Sequence, residues 1–516
     1  MTTVQRATLP QVGKRPRPAP VLAMVLVLIS AACGPRLPNA GEQRPDVILI
    51  TVDALRADSL SCAGSPLIQT PNLDRLASEG ILFSQAMSSF VGTTAAMPSL
   101  MSGLFPSFEG ITEWSPATHS GFRHLSDPGE NQELTDNVLT LAEILAADGY
   151  TCAGFSSNPN LTPQSGFDQG FHHFEAFSAY LANKARNRRH PLLGHYPPAD
   201  VVVDSVLQWL AGAQPRPLFL WLHLMEPHSP YLPPPPFDRL PHRRYTPATD
   251  LQINEALYRI VIAQYGLAPP PQYAAVATLP ASAADSLEHL KALYEGQVRF
   301  ADRELGRLFA GLRDHGRWDR SVVIATADHG EELFDHGHVI HHLLEPALEE
   351  LLRIPLLLRL PSNDRQGRRI HALVRMVDVA PTVLDYTGIP MPASGMDGTS
   401  LRPLIEGQAM PELTAFVSAI DFGVARSSRW KYRRVKRAFG SHRPGESLFD
   451  IQADPLESND VAAEQPAALA DMRGRYAAFV HRLELRGAPA QEPDTQPADV
   501  DPEVRERLRA LGYIDE

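Results

Sequence analysis

The chain has 516 residues and a formal net charge of −12, with 44% hydrophobic and 21% charged residues. This length suffices for one large hydrophobic core with a smaller satellite domain, or for two or three domains of ordinary size. The composition indicates a globular protein, and the acidic balance argues against a nucleic-acid-binding protein, which normally carries a basic surface.

Residues 1–33 have the pattern of a targeting segment. Basic residues precede the apolar run VLAMVLVLISAAC, which is too short to span a bilayer comfortably. The run ends in Ser-Ala-Ala-Cys33, which resembles a bacterial lipoprotein cleavage box, so Cys33 is the predicted lipidation site; ordinary signal cleavage is the alternative. Both readings predict an extracytoplasmic protein, in the periplasm or cell envelope. Contact with the membrane is expected only through this possible lipid anchor, and a linker is predicted over 34–45.

Five apolar runs rich in Val, Ile and Leu predict the buried strands of an α/β sheet. Four of them end in a polar cluster, and ligands of open α/β sheets bind at the carboxyl ends of strands. The runs cover residues 46–53, 150–157, 217–224, 321–328 and 352–360.

Helical periodicity is clearest over 286–313, where apolar residues recur every three or four positions, and a second helix is predicted over 135–147. After residue 400 the pattern changes to short strands at 413–421, 429–435 and 446–451. This change predicts a smaller antiparallel sheet subdomain over 401–485. A polar linker and a terminal helix are predicted over 486–516.

Two polar clusters that follow predicted strands are candidates for a metal site. Asp53 closes the first strand, where a carboxylate either binds a metal or caps the next helix. The second cluster comprises Asp328, His329, Asp335, His336, His338, His341 and His342. Such a density of carboxylates and imidazoles directly after a buried strand is typical of a metal site.

A third cluster leaves the strand 217–224 in the sequence LHLMEPHSPY, which contains His223, Glu226 and His228. The prolines on both sides of His228 stiffen this exit and hold the histidine in a defined direction. A single histidine of this kind is more often structural than catalytic. Three strand ends that can converge favour a functional site.

The segment VGTTAAMPSLMSG (91–103) raises the question of a nucleophile. Its two hydroxyls precede a small-residue stretch that predicts a helix, so either could merely cap it. Pro98 is tolerable in the first turn of a helix, which predicts that this helix begins late in the segment.

Several phrases together resemble the sulfatase family within the alkaline phosphatase superfamily. They include RPDVILITVDALRADSL (44–60), TPNLDRLASEGILFSQA (70–86), MEPHSPYLPP (225–234) and ATADHGEEL (325–333). The resemblance runs from about residue 44 to the C-terminus. It implies an α/β fold, with a central, mostly parallel sheet flanked by helices over 46–400 and a smaller C-terminal sheet. It also implies metal-dependent hydrolysis of an anionic ester.

The resemblance implies roles for individual residues. Asp53, Asp328 and His329, with Thr93, correspond to the ligands of a divalent metal ion, with Zn, Mn and Ca as candidates. His228 and His341 correspond to residues that bind the anion or protonate the leaving group. Further substrate-binding candidates are His336, His338, His342 and Asn158. The implied substrate is a sulfate or phosphate ester of a small molecule, a glycan or a lipid head group, and no nucleic acid is expected.

Departures from the family pattern leave alternatives open. Sulfatases usually have a second Asp where Ala54 stands, and their formylglycine comes from Cys or Ser in a C/S-x-P-x-R signature. An ungapped count back from Gly103 puts Thr93, which cannot become formylglycine, at the nucleophile position. A competing register puts Ala96 there and predicts an inactive ligand-binding protein. A threonine nucleophile also suits a phosphoryl-group transferase similar to phosphoethanolamine transferases. Whether Cys62 and Cys152 pair stays open.

Overall fold

The computed structural model describes residues 44–486 except 67, 107–133, 135–137, 178–195, 213, 239–249, 251, 255, 257–282, 337–346, 362–364, 437 and 439–441. The described residues belong to one compact unit. The predicted targeting segment with Cys33 and the predicted terminal helix lie outside them. No helix within the described ranges is both long and apolar enough to cross a bilayer.

A mixed sheet forms the centre of the described structure. Its strands are β1 (Asp46–Val52), β2 (Ile81–Met87), β3 (Thr151–Ser156), β4 (His173–Glu175), β5 (Leu218–Leu224), β6 (Ser321–Ala327), β7 (Arg353–Arg359) and β8 (Arg368–Arg375). They lie in the order β4-β3-β5-β1-β6-β7-β2-β8. Strand β7 is antiparallel to both neighbours, whereas the other described pairs are parallel. The expected mostly parallel sheet is confirmed.

The strands β1, β5 and β6 are buried at every position. Their continuous apolar runs therefore come from strands covered on both faces, as parallel strands in α/β proteins are. The sequence pattern missed β2, β4 and β8. In β8 the burial is interrupted by exposed residues, so no continuous apolar run marks it.

Helices flank the sheet. They are α1 (Pro71–Glu79), α2 (Thr93–Ser102), α3 (Leu141–Ala147), α4 (Ala199–Ala211), α5 (Ala283–Asp314), α6 (Glu349–Leu352), α7 (Val379–Thr387), α8 (Arg402–Ile405) and α9 (Pro466–Arg486). The long helix expected over 286–313 is confirmed as α5. The start predicted for the helix 135–147 was wrong. Thr140 and Glu143 form a capping box, so α3 begins only at Leu141.

The prediction that Pro98 lies in a first helical turn was also wrong. Helix α2 begins at Thr93, and Pro98 is its sixth residue. Proline has no N–H to donate to the carbonyl four residues earlier, so the helix is one backbone hydrogen bond short near its start. Pro98 is itself buried, so packing around the helix compensates in part for this loss.

A second sheet is formed near the C-terminus by β9 (Ala415–Ser418), β10 (Phe422–Arg426), β11 (Trp430–Val435) and β12 (Gly445–Asp450). Its described strand pairs are all antiparallel, which confirms the smaller antiparallel sheet. The sequence pattern did not predict β10, and β9 covers only Ala415–Ser418 of the strand predicted over 413–421. Helix α9 covers this sheet through a separate apolar cluster that includes Phe416, Tyr432 and Phe479. Cys62 and Cys152 are free thiols.

Candidate active site

Four neighbouring strands end side by side at one edge of the central sheet. Strands β3, β5, β1 and β6 are adjacent and parallel, so the residues after their carboxyl ends meet. Asn158 follows β3, His228 follows β5, Asp53 follows β1, and Asp328 follows β6. The topology therefore brings together residues that the sequence separates by as many as 275 positions, between Asp53 and Asp328.

Asp53, Asp328 and His329 form a fully buried group whose ligand atoms all lie within 4.8 Å of one another. The ring of His329 is oriented by Nδ1, which donates to the Gly330 carbonyl at 2.7 Å. Nε2 then lies 3.6 Å from Oδ1 of Asp53 and 3.5 Å from Oδ2 of Asp328.

These two carboxylate oxygens accept no hydrogen bond from the described residues. Buried acceptors are normally satisfied, so a pair of them beside an imidazole nitrogen needs a positive partner. Two carboxylate oxygens and one imidazole are a suitable donor set for a divalent cation such as Zn²⁺ or Mn²⁺. Asp53, Asp328 and His329 therefore fit a metal ion, and we call these three residues the metal-ligand group.

The other oxygen of each carboxylate is held by hydrogen bonds. Oδ1 of Asp328 accepts from the backbone amides of His329 at 2.8 Å and Ala54 at 3.2 Å. Ala54 reaches this position through a left-handed backbone with φ of 55°, and its carbonyl accepts from the Tyr294 hydroxyl at 2.8 Å. An alanine in this conformation costs roughly 1 kcal/mol or more, so these contacts hold it there.

Oδ2 of Asp53 accepts from three donors among the described residues. They are Nδ2 of Asn158 at 2.6 Å, Nε2 of His223 at 3.2 Å and Oγ1 of Thr93 at 3.3 Å. Asn158, weighed from the sequence as a substrate-binding residue, thus contacts the metal-ligand group. His223 was noticed in the sequence but not ranked. The sequence did contain a signal for His223. Thr51 and Asp53 are two residues apart, as are Trp221 and His223, so on two paired strands these side chains lie on the same face of the sheet.

Thr93 is the first residue of α2, so its hydroxyl lies at the N-terminal end of the helix, the end that can bind anions. Its side chain is fully buried, and Oγ1 lies 3.4 Å from Nε2 of His329 and 3.5 Å from Nδ2 of Asn158. Thr94 is only half-buried. The hydroxyl of Thr93 is therefore the one that the fold places beside the metal-ligand group.

The ionisable side chains of the site change one another's pKa. Burial raises the pKa of Asp53, but the nearby His228 and the hydrogen bond from His223 outweigh burial and hold the pKa well below its usual range. Burial and the charge of Asp53 raise the pKa of Asp328. Burial lowers the pKa of His228, whose Nδ1 donates to the Ser229 carbonyl at 2.6 Å. The two carboxylates thus repel each other, and a cation between them would relieve this repulsion.

The structure does not bring every candidate residue to the cluster. Both ring nitrogens of His336 are engaged elsewhere, with Oε1 of Glu350 and the Leu456 carbonyl, each at 2.6 Å. His336 thus links its loop to Glu350 and to the turn after β12. His338, His341 and His342 lie outside the described residues.

The chain was compared with known proteins. A family model described as "Sulfatase" matches residues 45–389, and one described as "N-sulphoglucosamine sulphohydrolase, C-terminal" matches residues 345–473. An arylsulfatase of Clostridium perfringens is 24% identical over 451 residues, covering 80% of this chain and 89% of the relative.

Two further matches are a protein of the alkaline phosphatase superfamily and a phosphonate monoester hydrolase. The multifunctional alkaline phosphatase superfamily protein PehA of Trinickia caryophylli is 26% identical over 497 residues, covering 83% of this chain and 93% of that protein. The crystal structure of the phosphonate monoester hydrolase of Agrobacterium radiobacter aligns with a TM-score of 0.63 at 22% identity. It covers 86% of this chain and 96% of that one, so the two share a fold.

Proposed function

The chain belongs to the sulfatase family, and from this premise we propose that it hydrolyses sulfate or phosphate esters with Thr93 as its nucleophile and a divalent metal ion as cofactor. The relatives support this range of substrates, because they include an arylsulfatase and a multifunctional member of the alkaline phosphatase superfamily. The observation that carries the proposal is the position of the Thr93 hydroxyl, 3.3 Å from Asp53 and 3.4 Å from His329.

Asp53, Asp328 and His329 would hold the metal ion. When bound, the ion would supply positive charge that lowers the pKa of a nearby hydroxyl and polarises an anionic ester. The protein contributes a fully buried setting in which such charge acts strongly. It also orients the nucleophile, because the hydroxyl of Thr93 donates to Asp53, and this hydroxyl would lose its proton once a bound metal ion lowers its pKa.

In the first step, Oγ1 of Thr93 bonds to the sulfur or phosphorus atom and the bond to the leaving alcohol breaks. The leaving oxygen requires a proton, and His228 is our candidate donor beside the cluster. Since Nδ1 of His228 already donates to Ser229, this role needs a proton on Nε2 as well. Burial lowers the pKa of His228, but an anionic ester bound next to it would raise that pKa again. In the second step, water bonds to the sulfur or phosphorus atom and the bond to Oγ1 of Thr93 breaks. His228 takes the proton that the water loses, which restores it for the next turnover.

The test uses the purified full chain, stripped with EDTA and supplied with Zn²⁺, Mn²⁺ or Ca²⁺. We expect metal-dependent release of nitrophenol from at least one of nitrophenyl sulfate, nitrophenyl phosphate and a nitrophenyl phosphonate. The Asp328→Asn variant should lose this activity by roughly 10²-fold or more, because it removes a ligand charge. Failure to bind any of the ions, or turnover that survives Asp328→Asn, would contradict the proposal.

A phosphoryl-group transferase is the second candidate function. The plain hydroxyl of Thr93 favours it, because a threonine ester can be resolved by an alcohol of a lipid or glycan as well as by water. Mass spectrometry of the chain quenched during turnover would detect the Thr93 adduct. Persistence of the adduct in water, with rapid loss on addition of an alcohol acceptor, would support the transferase; rapid loss in water alone would support the hydrolase.

We further propose that the protein acts outside the cytoplasm and is anchored through a lipid on Cys33. The targeting pattern of residues 1–33 supports this location. Expression of the full chain with radioactive palmitate should label the wild type and leave Cys33→Ser unlabelled. Equal labelling of both, or recovery of both in the cytoplasmic fraction, would contradict the anchor.

A further inference from the structure

His223 is a fully buried histidine next to the metal-ligand group that the proposed reaction leaves without a role. It lies directly opposite Thr51 in the pairing of β5 with β1. Because side chains alternate along a strand, Thr51 and Asp53 share one face of β1, and Trp221 and His223 share the corresponding face of β5. The four side chains can therefore interact across the two strands.

These side chains form a continuous chain of hydrogen bonds. Nε1 of Trp221 donates to Oγ1 of Thr51 at 3.0 Å, and Oγ1 of Thr51 lies 2.8 Å from Nδ1 of His223. Nε2 of His223 lies 3.2 Å from Oδ2 of Asp53. A carboxylate oxygen can only accept a hydrogen bond, so Nε2 of His223 carries a hydrogen whether or not Nδ1 carries one as well.

The arrangement determines how the carboxylate of Asp53 is turned. Oδ2 accepts from His223, Asn158 and Thr93, whereas Oδ1 accepts no hydrogen bond from the part of the chain that the structure describes and lies 3.6 Å from Nε2 of His329. Without the donor on His223, Asn158 and Thr93 alone would have to hold the carboxylate. Thr93 cannot do so during catalysis, because its hydroxyl is the proposed nucleophile.

We propose that His223 is a positioning residue which, held by Thr51 and Trp221, keeps Oδ1 of Asp53 turned toward the metal ion and Oδ2 toward Thr93. This inference rests on the proposed function, because it concerns the metal that function requires. Partners that orient a metal-ligating carboxylate typically contribute 10- to 100-fold to metal affinity. His223 contributes to metal binding without touching the ion or the substrate.

The test measures metal affinity, independently of activity. The full chain is stripped with EDTA and titrated by calorimetry with the chloride of Zn²⁺, Mn²⁺ or Ca²⁺, whichever the wild type binds. We expect His223→Leu to weaken binding about 10- to 100-fold, because it removes the donor to Asp53. His223→Gln, whose amide can still donate from a similar position, should recover most of the affinity. Thr51→Val should weaken binding by a smaller factor, and Thr51→Ser, which keeps the hydroxyl, should not.

The matched control is His289→Leu. His289 is also buried and donates to a carboxylate, that of Asp250 at 2.8 Å, but forms no described contact with the metal-ligand group. It should lower stability without changing metal affinity. Unchanged affinity in His223→Leu, or an equal loss in His289→Leu, would overturn the role of His223. If His223→Leu does not fold, unchanged affinity in Thr51→Val overturns it. A wild-type chain that binds none of the ions would instead overturn the proposed function itself.

Discussion

At the scale of single residues, each buried carboxylate of the site divides its two oxygens between two tasks. One oxygen of Asp53 and one of Asp328 accept hydrogen bonds from the protein, and the other oxygen of each accepts none from the described residues. The hydrogen bonds fix the carboxylates before any ion arrives. A preorganised site of this kind does not have to reorient its ligands during the reaction.

Thr93 is the residue on which the proposed chemistry depends most. Thr93→Ala should lower kcat by at least about 10³-fold, because it removes the atom that forms the covalent bond. Thr93→Ser should retain part of the activity. The matched control is Thr94→Ala at the half-buried neighbour, which should stay near wild type. Undiminished turnover by Thr93→Ala in a steady-state assay would exclude Thr93 as the nucleophile.

Ala54 occupies the position where sulfatases usually have a second metal-binding aspartate. Ala54→Asp should therefore add a hard oxygen ligand and raise the affinity for Ca²⁺, by about tenfold or more. The left-handed backbone at this position does not oppose the change, since Asp tolerates positive φ better than Ala. Calorimetric titration with CaCl₂ measures the effect, and Ala54→Asn separates the added charge from the added oxygen. Equal Ca²⁺ affinity in wild type and Ala54→Asp would show that the new carboxylate does not reach the ion.

At the scale of secondary-structure elements, the site depends on where each element begins or ends. Helix α2 begins at a position from which its first side chain reaches Asp53, although Pro98 interrupts its hydrogen bonding. Gly330, just after β6, donates its N–H to the Leu351 carbonyl of α6 at 2.8 Å. A Cβ on Gly330 would lie 1.9 Å from the Glu350 carbonyl oxygen, so only glycine allows this approach. Helix α6 thereby supports the backbone next to His329.

The hydrogen bond from His336 to Glu350 connects the loop after β6 with α6, and it should make stability depend on pH. This bond raises the pKa of His336 to about 9, against an ordinary value of 6.5. A raised pKa in the folded state means that the stabilisation is complete below pH of about 6.5 and is lost as the pH rises through about 9. Because the pair is partly exposed to solvent, we expect about 1 kcal/mol.

Urea denaturation of wild type and His336→Gln measures this effect. The difference in the free energy of unfolding should be largest near pH 6 and should shrink toward pH 9.5. His481→Gln, at an exposed position on α9, is the control and should show no such trend. A difference that stays constant over this pH range would show that His336 does not titrate with folding.

At the scale of the whole molecule, buried charges join the C-terminal sheet to α6, the helix that directly precedes β7 of the central sheet. Lys431 on β11 is fully buried and pairs with Glu457 and, at 3.8 Å, with Glu349 of α6. Arg426 on β10 pairs with the same Glu349 at 2.8 Å. The charges of Arg426 and Lys431 outweigh burial and lower the pKa of Glu349, whereas burial raises the pKa of Glu457.

Breaking this network should destabilise the fold. Lys431→Met leaves Glu457 buried without its cation, so we expect a loss of about 3–5 kcal/mol in the free energy of unfolding. The double variant Lys431→Met, Glu457→Gln should recover most of this loss, because the uncompensated charge is gone. Arg429→Met is the matched control, since its pair with Asp450 lies at the surface of the same sheet and should contribute far less to the free energy of unfolding. Chemical denaturation with equal losses for Lys431→Met and Arg429→Met would contradict the prediction.

Much of the fold followed from local patterns. The strands β1, β5 and β6 were predictable because continuous apolar runs of this length are typical of strands buried on both faces. Strand β8 was not, because its exposed residues interrupt the run, and the start of α2 was not, because tertiary packing overrides the local effect of Pro98. Propensity is only a weak guide where burial compensates for a lost hydrogen bond.

The sequence by itself determined the family, the α/β class and the chemical types of Asp53, Asp328, His329 and Thr93, because motifs and apolar periodicity are local properties of the chain. Only the tertiary structure decided which oxygen of each carboxylate is left for a metal, that His223 and Asn158 hold Asp53, and that His336 faces Glu350 instead of the cluster. These contacts join residues up to 274 positions apart, as between the Ala54 amide and Asp328. They depend on strand order, register and side-chain rotation, which arise when the whole core packs and leave no trace in any single segment.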